Sequence, residues 1–524
     1  MPVLEWIGKE RVINHHHDVK YRQLNRLYTY NSDKSDNLVI KGDNLEALKA
    51  LLPLYHERIK CIYIDPPYNT GNEGWIYNDN VNDPHIKKWL GDVVGKEGED
   101  LSRHDKWLCM MYPRLRMLHK LLANDGAILI SIDDNEQAYL RMICDEIFGA
   151  RNFVAQLVWQ RTFATKNDAK FFSSEHEYII VYAKNIDNLV VKDLPKNDKQ
   201  NERYKNPDND PRGPWISTDL LRMEHRENSV YAITTPSGKI YVPEPGTSWR
   251  HPEQEMKALI DNNEVWFGKD GSSKPRRKRF MSDVKAGICP QTIWKHEDVG
   301  HTQEAKQLLK KILDASQDFF ATPKPVRLVK QIISIICNEE DIILDSFAGS
   351  GTTAQAVLEL NKEDGGHRKF ILVEMLDYAE TITAERIKRV ISGYQSGKKD
   401  MDGLGGNFSF CELGQYLFNE DGNINEDVDE EDIRNYVWFT ETGMVMNQKV
   451  DSDCKYYLGH VNGTAYYFFF KKDGITTLDN SFLNSIAQRA EAYVIFADKC
   501  ALSSKQLERY GITFKKIPRD IAKL

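Results

Sequence analysis

Short apolar runs alternate with helix-spaced segments twice along this chain, and that alternation constrains the fold more than any other feature. Residues 37–41 and 60–64 read as strands, with Leu45, Leu48 and Leu52 on one helical face between them. A helix over 106–122 carries Leu108, Met111, Leu115, Leu118 and Leu122 on one side and ends at Asn124-Asp125-Gly126. Residues 127–132 then read as a continuous apolar strand, 139–147 as a helix, and 153–159 and 178–183 as further strands. The pattern stops near Asn185 and returns late: helix 324–336, strand 341–344, glycine loop 345–351, helix 352–360, strand 369–373, helix 377–392. Strands apolar throughout, separated by helices, predict an α/β protein with a doubly wound, mostly parallel sheet covered on both faces.

Between the two α/β stretches the composition changes. Residues 192–214 are rich in Asn, Asp, Lys and Pro, and the chain to about 315 carries short strands and turns. We expect a separate insertion here. The expected domains are 1–190 and 319–402 as two halves of one core, 191–318 as the insertion, and 403–524 as a small C-terminal α/β domain entered through the linker Gly403–Gly406. The run 420–432 holds eight acidic residues in thirteen and is expected to be a solvated loop. No run approaches the ~20 apolar residues of a membrane helix, and residues 1–11 carry no signal-type stretch, so a cytoplasmic protein with no membrane contact is expected. The eight cysteines are dispersed without a CxxC pair, which disfavours zinc and disulfide frameworks. His15-His16-His17 has no second ligand cluster, so no metal is expected.

Two loops carry chemistry. Asp65-Pro66-Pro67-Tyr68 follows an apolar strand that two prolines must terminate, and ligands of open α/β sheets sit at strand carboxyl ends. The Asp65 carboxylate and the Pro66 carbonyl are two acceptors, and Tyr68 adds an aromatic face. Such a set suits an exocyclic amine whose lone pair is delocalised into a purine ring. Two acceptors on its N–H groups draw the nitrogen toward tetrahedral geometry and free the lone pair for attack on a methyl electrophile, while the aromatic face stacks on the base. The second loop, Asp345-Ser346-Phe347-Ala348-Gly349-Ser350-Gly351, lies between a strand and a helix. It matches neither the dinucleotide nor the phosphate-loop spacing. Glu374 ends the next strand, 23 residues after Gly351, where an acidic side chain commonly takes ribose hydroxyls. Gly42-Asp43-Asn44 also follows a strand, and Asp43 suits a helix cap and a ligand equally.

Together these residues resemble the amino-group DNA methyltransferases that use S-adenosylmethionine. The order, with Asp65-Pro66-Pro67-Tyr68 first and the glycine loop 280 residues later (345 − 65), is similar to the β class, whose target-recognition domain separates the two halves of a permuted Rossmann-like core. The chain further resembles the modification subunit of type III restriction–modification systems, through Ile13-Asn14-His15-His16, Gly42-Asp43-Asn44-Leu45, Asn69-Thr70-Gly71, residues 290–294, Thr322-Pro323-Lys324-Pro325 and Lys516-Ile517-Pro518. That resemblance implies site-specific methylation of adenine N6 in double-stranded DNA. It assigns Asp65, Pro66, Pro67 and Tyr68 to the catalytic loop. It assigns Asp43, Lys324, Asp345, Phe347, Gly349, Gly351 and Glu374 to S-adenosylmethionine, with Lys324 bracing the methionine moiety. It also implies a homodimer formed through 436–524 and a helicase–nuclease restriction subunit as partner. A solitary adenine or cytosine-N4 methyltransferase and a non-catalytic DNA-recognition scaffold are the alternatives. Asp rather than Ser at position 65 favours adenine.

Net charge is −8, so a DNA-binding role requires segregated positive charge. The run 274–279 supplies Lys274, Arg276, Arg277, Lys278 and Arg279, near Lys269 and Lys285, as candidate phosphate contacts within the insertion.

Overall fold

The computed structural model describes residues 3–70, 88, 90–93, 103–165, 167, 169–195, 202–283, 287–314, 320, 322–396, 399–446, 455–486 and 488–523. Gly71 and Lys285, singled out above, lie outside the described residues. The chain forms two compact units, Met1–Val191 with Gln291–Leu524, and Lys192–Pro290.

The larger unit is built on a ten-stranded sheet. Its strands in chain order are β1 (Arg22–Tyr30), β2 (Leu38–Lys41), β3 (Ile59–Ile64), β4 (Leu122–Ile132), β5 (Phe153–Gln160), β6 (His176–Ala183), β7 (Ile293–Trp294), β8 (Ile342–Asp345), β9 (Lys369–Glu374) and β10 (Phe408–Tyr416). In space they run β1-β10-β2-β9-β8-β3-β4-β6-β5-β7. From β10 to β4 all neighbours are parallel, and β1 and β6 are the antiparallel members. The helices that position the site are α1 (Asn44–Tyr55), α2 (Arg103–Leu121), α3 (Gln137–Cys144), α4 (Thr302–Leu313), α5 (Val326–Ile336), α6 (Thr352–Asp364) and α7 (Glu385–Ser392). Every residue of β3 is buried, as a central parallel strand requires.

The pairing that matters most is β3 with β8. Cys61 lies opposite Ile343 and Ile62 opposite Leu344, in parallel register. Two strands far apart in sequence thus end side by side on one edge.

Several sequence expectations shift. Strand β4 begins at Leu122, so Asn124-Asp125-Gly126 sits inside a strand with a register irregularity instead of ending the helix. The Lys60 ammonium holds Asp125 there, 2.8 Å from its carbonyl and 2.6 Å from its carboxylate. A side chain at Gly126 would meet the Lys60 and Ile59 carbonyl oxygens at 2.8 and 2.9 Å, so only glycine permits the approach. The expected insertion closes at Pro290 rather than 318, because Ile293–Trp294 joins the large sheet beside β5 and α4 packs against α7. The segment after Gly403–Gly406 does not open a new domain at once. Phe408–Tyr416 is strand β10 of the core sheet, between β1 and β2.

Beyond β10 the expected C-terminal α/β module is present. It has a four-stranded sheet (Tyr457–Val461, Thr464–Phe468, Ala492–Ala497, Ile512–Lys516) and the helix Glu430–Thr442. The acidic run ends in the first turn of that helix and is not wholly a loop. Glu430, Glu431 and Asp432 occupy the positive end of the helix dipole, and burial beside Asp429 and Glu431 raises the Asp432 carboxyl to about 6. The smaller unit holds an antiparallel three-stranded sheet (Val265–Trp266, Arg276–Phe280, Trp215–Asp219) over a core of Leu220, Ile233, Trp249, Met256, Val265 and Phe267. Among the described residues no helix is long and apolar enough to cross a membrane.

Candidate active site at the carboxyl edge of the sheet

Four neighbouring parallel strands each deliver an acidic side chain to one edge. Across the sheet β2 leads to Asp43, β9 ends in Glu374, β8 ends in Asp345, and β3 leads to Asp65. Glu374 lies opposite Lys41 and Asp345 opposite Leu372, so the row is continuous. Ligands of open α/β sheets bind at this edge.

Asp65 is held in a network. Lys324 Nζ donates to both of its carboxylate oxygens at 2.7 Å and to the Tyr68 hydroxyl at 2.9 Å. The Tyr68 hydroxyl donates to Asp65 Oδ1 at 2.7 Å and to Glu177 Oε2 at 3.2 Å. Glu177 lies 3.5 Å from Lys324 and accepts from Arg161 at 2.9 Å. Burial raises the Asp65 carboxyl above its usual range, the Lys324 charge opposes that rise, and the Glu177 charge adds to it. Burial beside two carboxylates drives the Tyr68 phenol well above its ordinary value, so it stays a neutral donor. The prolines are buried, and the Trp107 indole N–H caps the Pro67 carbonyl at 2.6 Å. Asn69 follows with φ +59°, a left-handed turn that Asn tolerates. Its amide donates to the Arg103 carbonyl at 3.2 Å and to Glu136, which His104 also meets at 2.7 Å.

The glycine loop faces this network. Asp345 accepts from the Phe347 N–H at 3.1 Å and from the Thr353 hydroxyl at 2.6 Å. Gly349 N–H donates to Glu374 Oε2 at 2.8 Å, and Leu376 N–H to Glu374 Oε1 at 3.1 Å. Gly351 has φ +77° and starts α6, a conformation that favours glycine. Burial raises both the Asp345 and Glu374 carboxyls to about 7 despite these donors. Ser346 Oγ is buried with no hydrogen-bond partner among the described residues. Asp65, Lys324, Asp345, Phe347, Gly349 and Thr352 line one narrow crevice of about 20 Å³. A larger cavity of about 440 Å³ opens beside it along the row, lined by His15, Val19, Asp43, Leu45 and Met375. Asp43 does two jobs. Its Oδ1 caps α1 through Leu45 and Glu46 N–H, and its Oδ2 pairs with Arg114 at 3.2 Å.

The structure therefore brings together Asp65, Pro66, Pro67, Tyr68, Lys324, Asp345, Phe347, Gly349 and Gly351, with Asp43 and Glu374 further along the edge. Lys324, expected to brace the cofactor, has its ammonium on the Asp65 carboxylate, because it directly precedes Pro325 at the start of α5 and points at the end of β3, and it lines the same crevice as the glycine loop. Sequence reasoning missed Glu177 and Arg161. Neither lies in a recognisable motif, and only the antiparallel turn from β5 to β6 brings them to this edge.

In the smaller unit the basic strand divides. Lys274, Arg276 and Arg279 are exposed. Arg277 is half-buried and meets Glu264 at 3.3 Å. Lys278 is fully buried and ion-paired with Asp208 and Asp210, so its charge is neutralised inside the fold and it is removed from the phosphate-binding candidates.

An open α/β sheet with two motif loops meeting at one carboxyl edge defines a doubly wound, ligand-binding enzyme fold. The chain belongs to the DNA methylase family: the N6_N4_Mtase family profile matches residues 59–385, which run from β3 through the insertion to the start of α7. It is 39% identical over 351 residues to the type III restriction–modification enzyme StyLTI Mod subunit of Salmonella typhimurium, covering 64% of this chain and 52% of that protein. It is 33% identical to the EcoP15I Mod subunit of Escherichia coli (65% and 58% covered) and 31% identical to the type II methyltransferase M.KpnI of Klebsiella pneumoniae (66% and 84% covered). The chain thus spans little more than half the length of those Mod subunits. Among solved structures, PvuII DNA methyltransferase (cytosine-N4-specific) aligns over 67% of this chain and 87% of its own at 12% identity, with a TM-score of 0.35.

Proposed function

We propose that this protein is a site-specific DNA methyltransferase that transfers a methyl group from S-adenosylmethionine to adenine N6 in duplex DNA. One observation carries the reading: Asp65, at the head of the Asp65-Pro66-Pro67-Tyr68 loop, lines one crevice with the glycine loop because β3 and β8 are neighbours.

The residues at the edge fit the cofactor. A row of carboxylates suits a ligand bearing ammonium, sulfonium and ribose hydroxyl groups, and the unpartnered Ser346 hydroxyl adds a polar contact. Asp345, Phe347, Gly349 and Gly351 would hold its central part, Glu374 its ribose, and Asp43 with Met375 the wall of the larger cavity. Bound there, S-adenosylmethionine supplies an electrophilic methyl group whose leaving group is its own sulfur. The protein supplies alignment and acceptors. Asp65 and the Pro66 carbonyl take the two N–H groups of the amine, and Tyr68 offers its ring to the extruded base. Lys324 opposes protonation of Asp65 until substrate arrives and then yields its place to the amine, staying within reach of Tyr68 and Glu177.

The names of the relatives favour a type III modification subunit that joins a restriction subunit, and 436–524 is our proposed contact for a homodimer. The 84% coverage of M.KpnI favours a second reading, a methyltransferase acting without a nuclease subunit. The smaller unit is the proposed target-recognition domain, with Lys274, Arg276, Arg277 and Arg279 on phosphates. Long-read sequencing of genomic DNA from a methylation-deficient host expressing this protein tests the function. N6-methyladenine at a single motif, lost with Asp65→Ala, is expected, and unmodified DNA refutes it. Copurification with the product of a neighbouring helicase–nuclease gene decides between the two settings.

A further inference from the structure

The loop 161–175, which joins β5 to β6, presents two adjacent phenylalanines to solvent. Phe171 is 81% exposed and Phe172 95%. Isolated exposed apolar residues are ordinary, but two neighbouring rings held outside the core mark an interaction site. Their position narrows the partner. Strand β5 runs in the same direction as β3 and β4, so the loop leaves the sheet at the edge that carries Asp65. The base of the loop is clamped. Arg161 N–H donates to the Glu175 carbonyl at 2.9 Å, and the Arg161 guanidinium donates to Glu177, which accepts from Tyr68. Four residues lie between Phe172 and Glu177, and five backbone steps of ~3.5 Å keep their Cα atoms within about 18 Å of each other. The charge beside the rings is positive, since the Lys170 ammonium sits 5.2 Å from the centre of the Phe171 ring.

We propose that Phe171 and Phe172 enter duplex DNA at the target step and hold open the gap left by the extruded adenine. The inference rests on the function proposed above and extends it to the mechanism of base extrusion. A base cannot reach Tyr68 inside a duplex, and its departure leaves an unstacked gap. Apolar side chains inserted between base steps are a general means of holding such a gap, and a cation alongside meets the phosphates. A protein partner or a lipid surface would also cover two rings, but neither explains their tether to the catalytic carboxylates.

The double variant Phe171→Ser/Phe172→Ser tests this on the motif found by sequencing. Methyl transfer is measured on the matched duplex and on a duplex mismatched opposite the target adenine, where extrusion is easier. The expected result is a loss of about tenfold or more on the matched duplex and a rate within about threefold of wild type on the mismatched one, with unchanged S-adenosylmethionine affinity. Fluorescence of 2-aminopurine at the target position should fall in parallel. A variant that methylates matched duplex at the wild-type rate overturns the proposal, as does an equal loss on both substrates. Wild-type protein that methylates neither duplex instead refutes the function itself, and the wedge with it.

Discussion

Replacing Lys324 with methionine removes the cation between two buried carboxylates while keeping most of the side-chain volume. Lys324 makes two 2.7 Å contacts to Asp65 and lies 3.5 Å from Glu177, and the side chains of Lys324, Asp65 and Glu177 are 8, 18 and 6% exposed. Removing one partner of a buried ion pair costs ~3–5 kcal/mol. A neighbouring opposite charge lowers a carboxyl pKa by ~1–3 units, which is about 1.4–4 kcal/mol. Burial already raises Asp65, and Lys324 opposes that rise, so without Lys324 the carboxyl rises further. An amine acceptor must be ionised. The acid limb of kcat/KM against pH should therefore move upward by about 1–3 units in Lys324→Met, with activity at neutral pH reduced and partly restored under alkaline conditions. Lys324→Arg should keep the limb near its wild-type position. Stability follows the same sign: the variant is most destabilised at high pH, and the deficit shrinks as falling pH protonates Asp65, whose carboxyl burial already raises. The assay is tritiated-methyl transfer across pH 6–10, with S-adenosylmethionine affinity measured alongside. An unmoved acid limb with wild-type cofactor affinity refutes the assignment of Lys324 to Asp65.

Asp65→Ala is expected to lower methyl transfer by about 10³-fold or more while cofactor affinity changes little, measured by filter assay and calorimetry, since it removes an acceptor used in the transition state. Because burial holds Asp345 and Glu374 near 7, and a cationic cofactor prefers both ionised, S-adenosylmethionine binding should tighten from pH 6 to pH 8 with proton release, seen as a buffer-dependent heat in calorimetry. Replacing Lys274, Arg276 and Arg279 together should weaken DNA binding uniformly across sequences and lower the slope of log K against log salt by ~2–3. Lys278→Ala, by contrast, leaves Asp208 and Asp210 buried without their cation and should lower the thermal midpoint of the protein.

Strands buried on both faces were legible because their apolar runs are short and bounded by turn residues, and the glycine loop was legible because it joins such a strand to a helix. Strands β1 and β10 were not. Both are partly exposed and polar in part, and their pairing is interrupted by register shifts, so no clean period of two survives. At the site, residues contiguous in a loop could be named, whereas Glu177 and Arg161 could not, since their roles arise from which strand ends happen to be neighbours. Lys324 was visible as a residue but its contact with Asp65 was not, because sequence does not say which way a side chain ahead of a proline-capped helix points. Lys278 shows the complementary failure. A run of basic residues looks uniform, but in a strand alternate side chains face opposite sides, and this one faces inward.

The adjacency of β3 and β8 also has a consequence during synthesis. At ~5–20 residues per second, the ribosome needs roughly 15–60 s to make the 280 residues between Asp65 and Asp345. Until then β3, apolar along its whole length, has β4 on one side and a bare row of peptide groups on the other. Bare strand edges recruit other chains. Nascent or prematurely terminated forms that stop short of residue 342 therefore carry an adhesive border that the finished protein conceals.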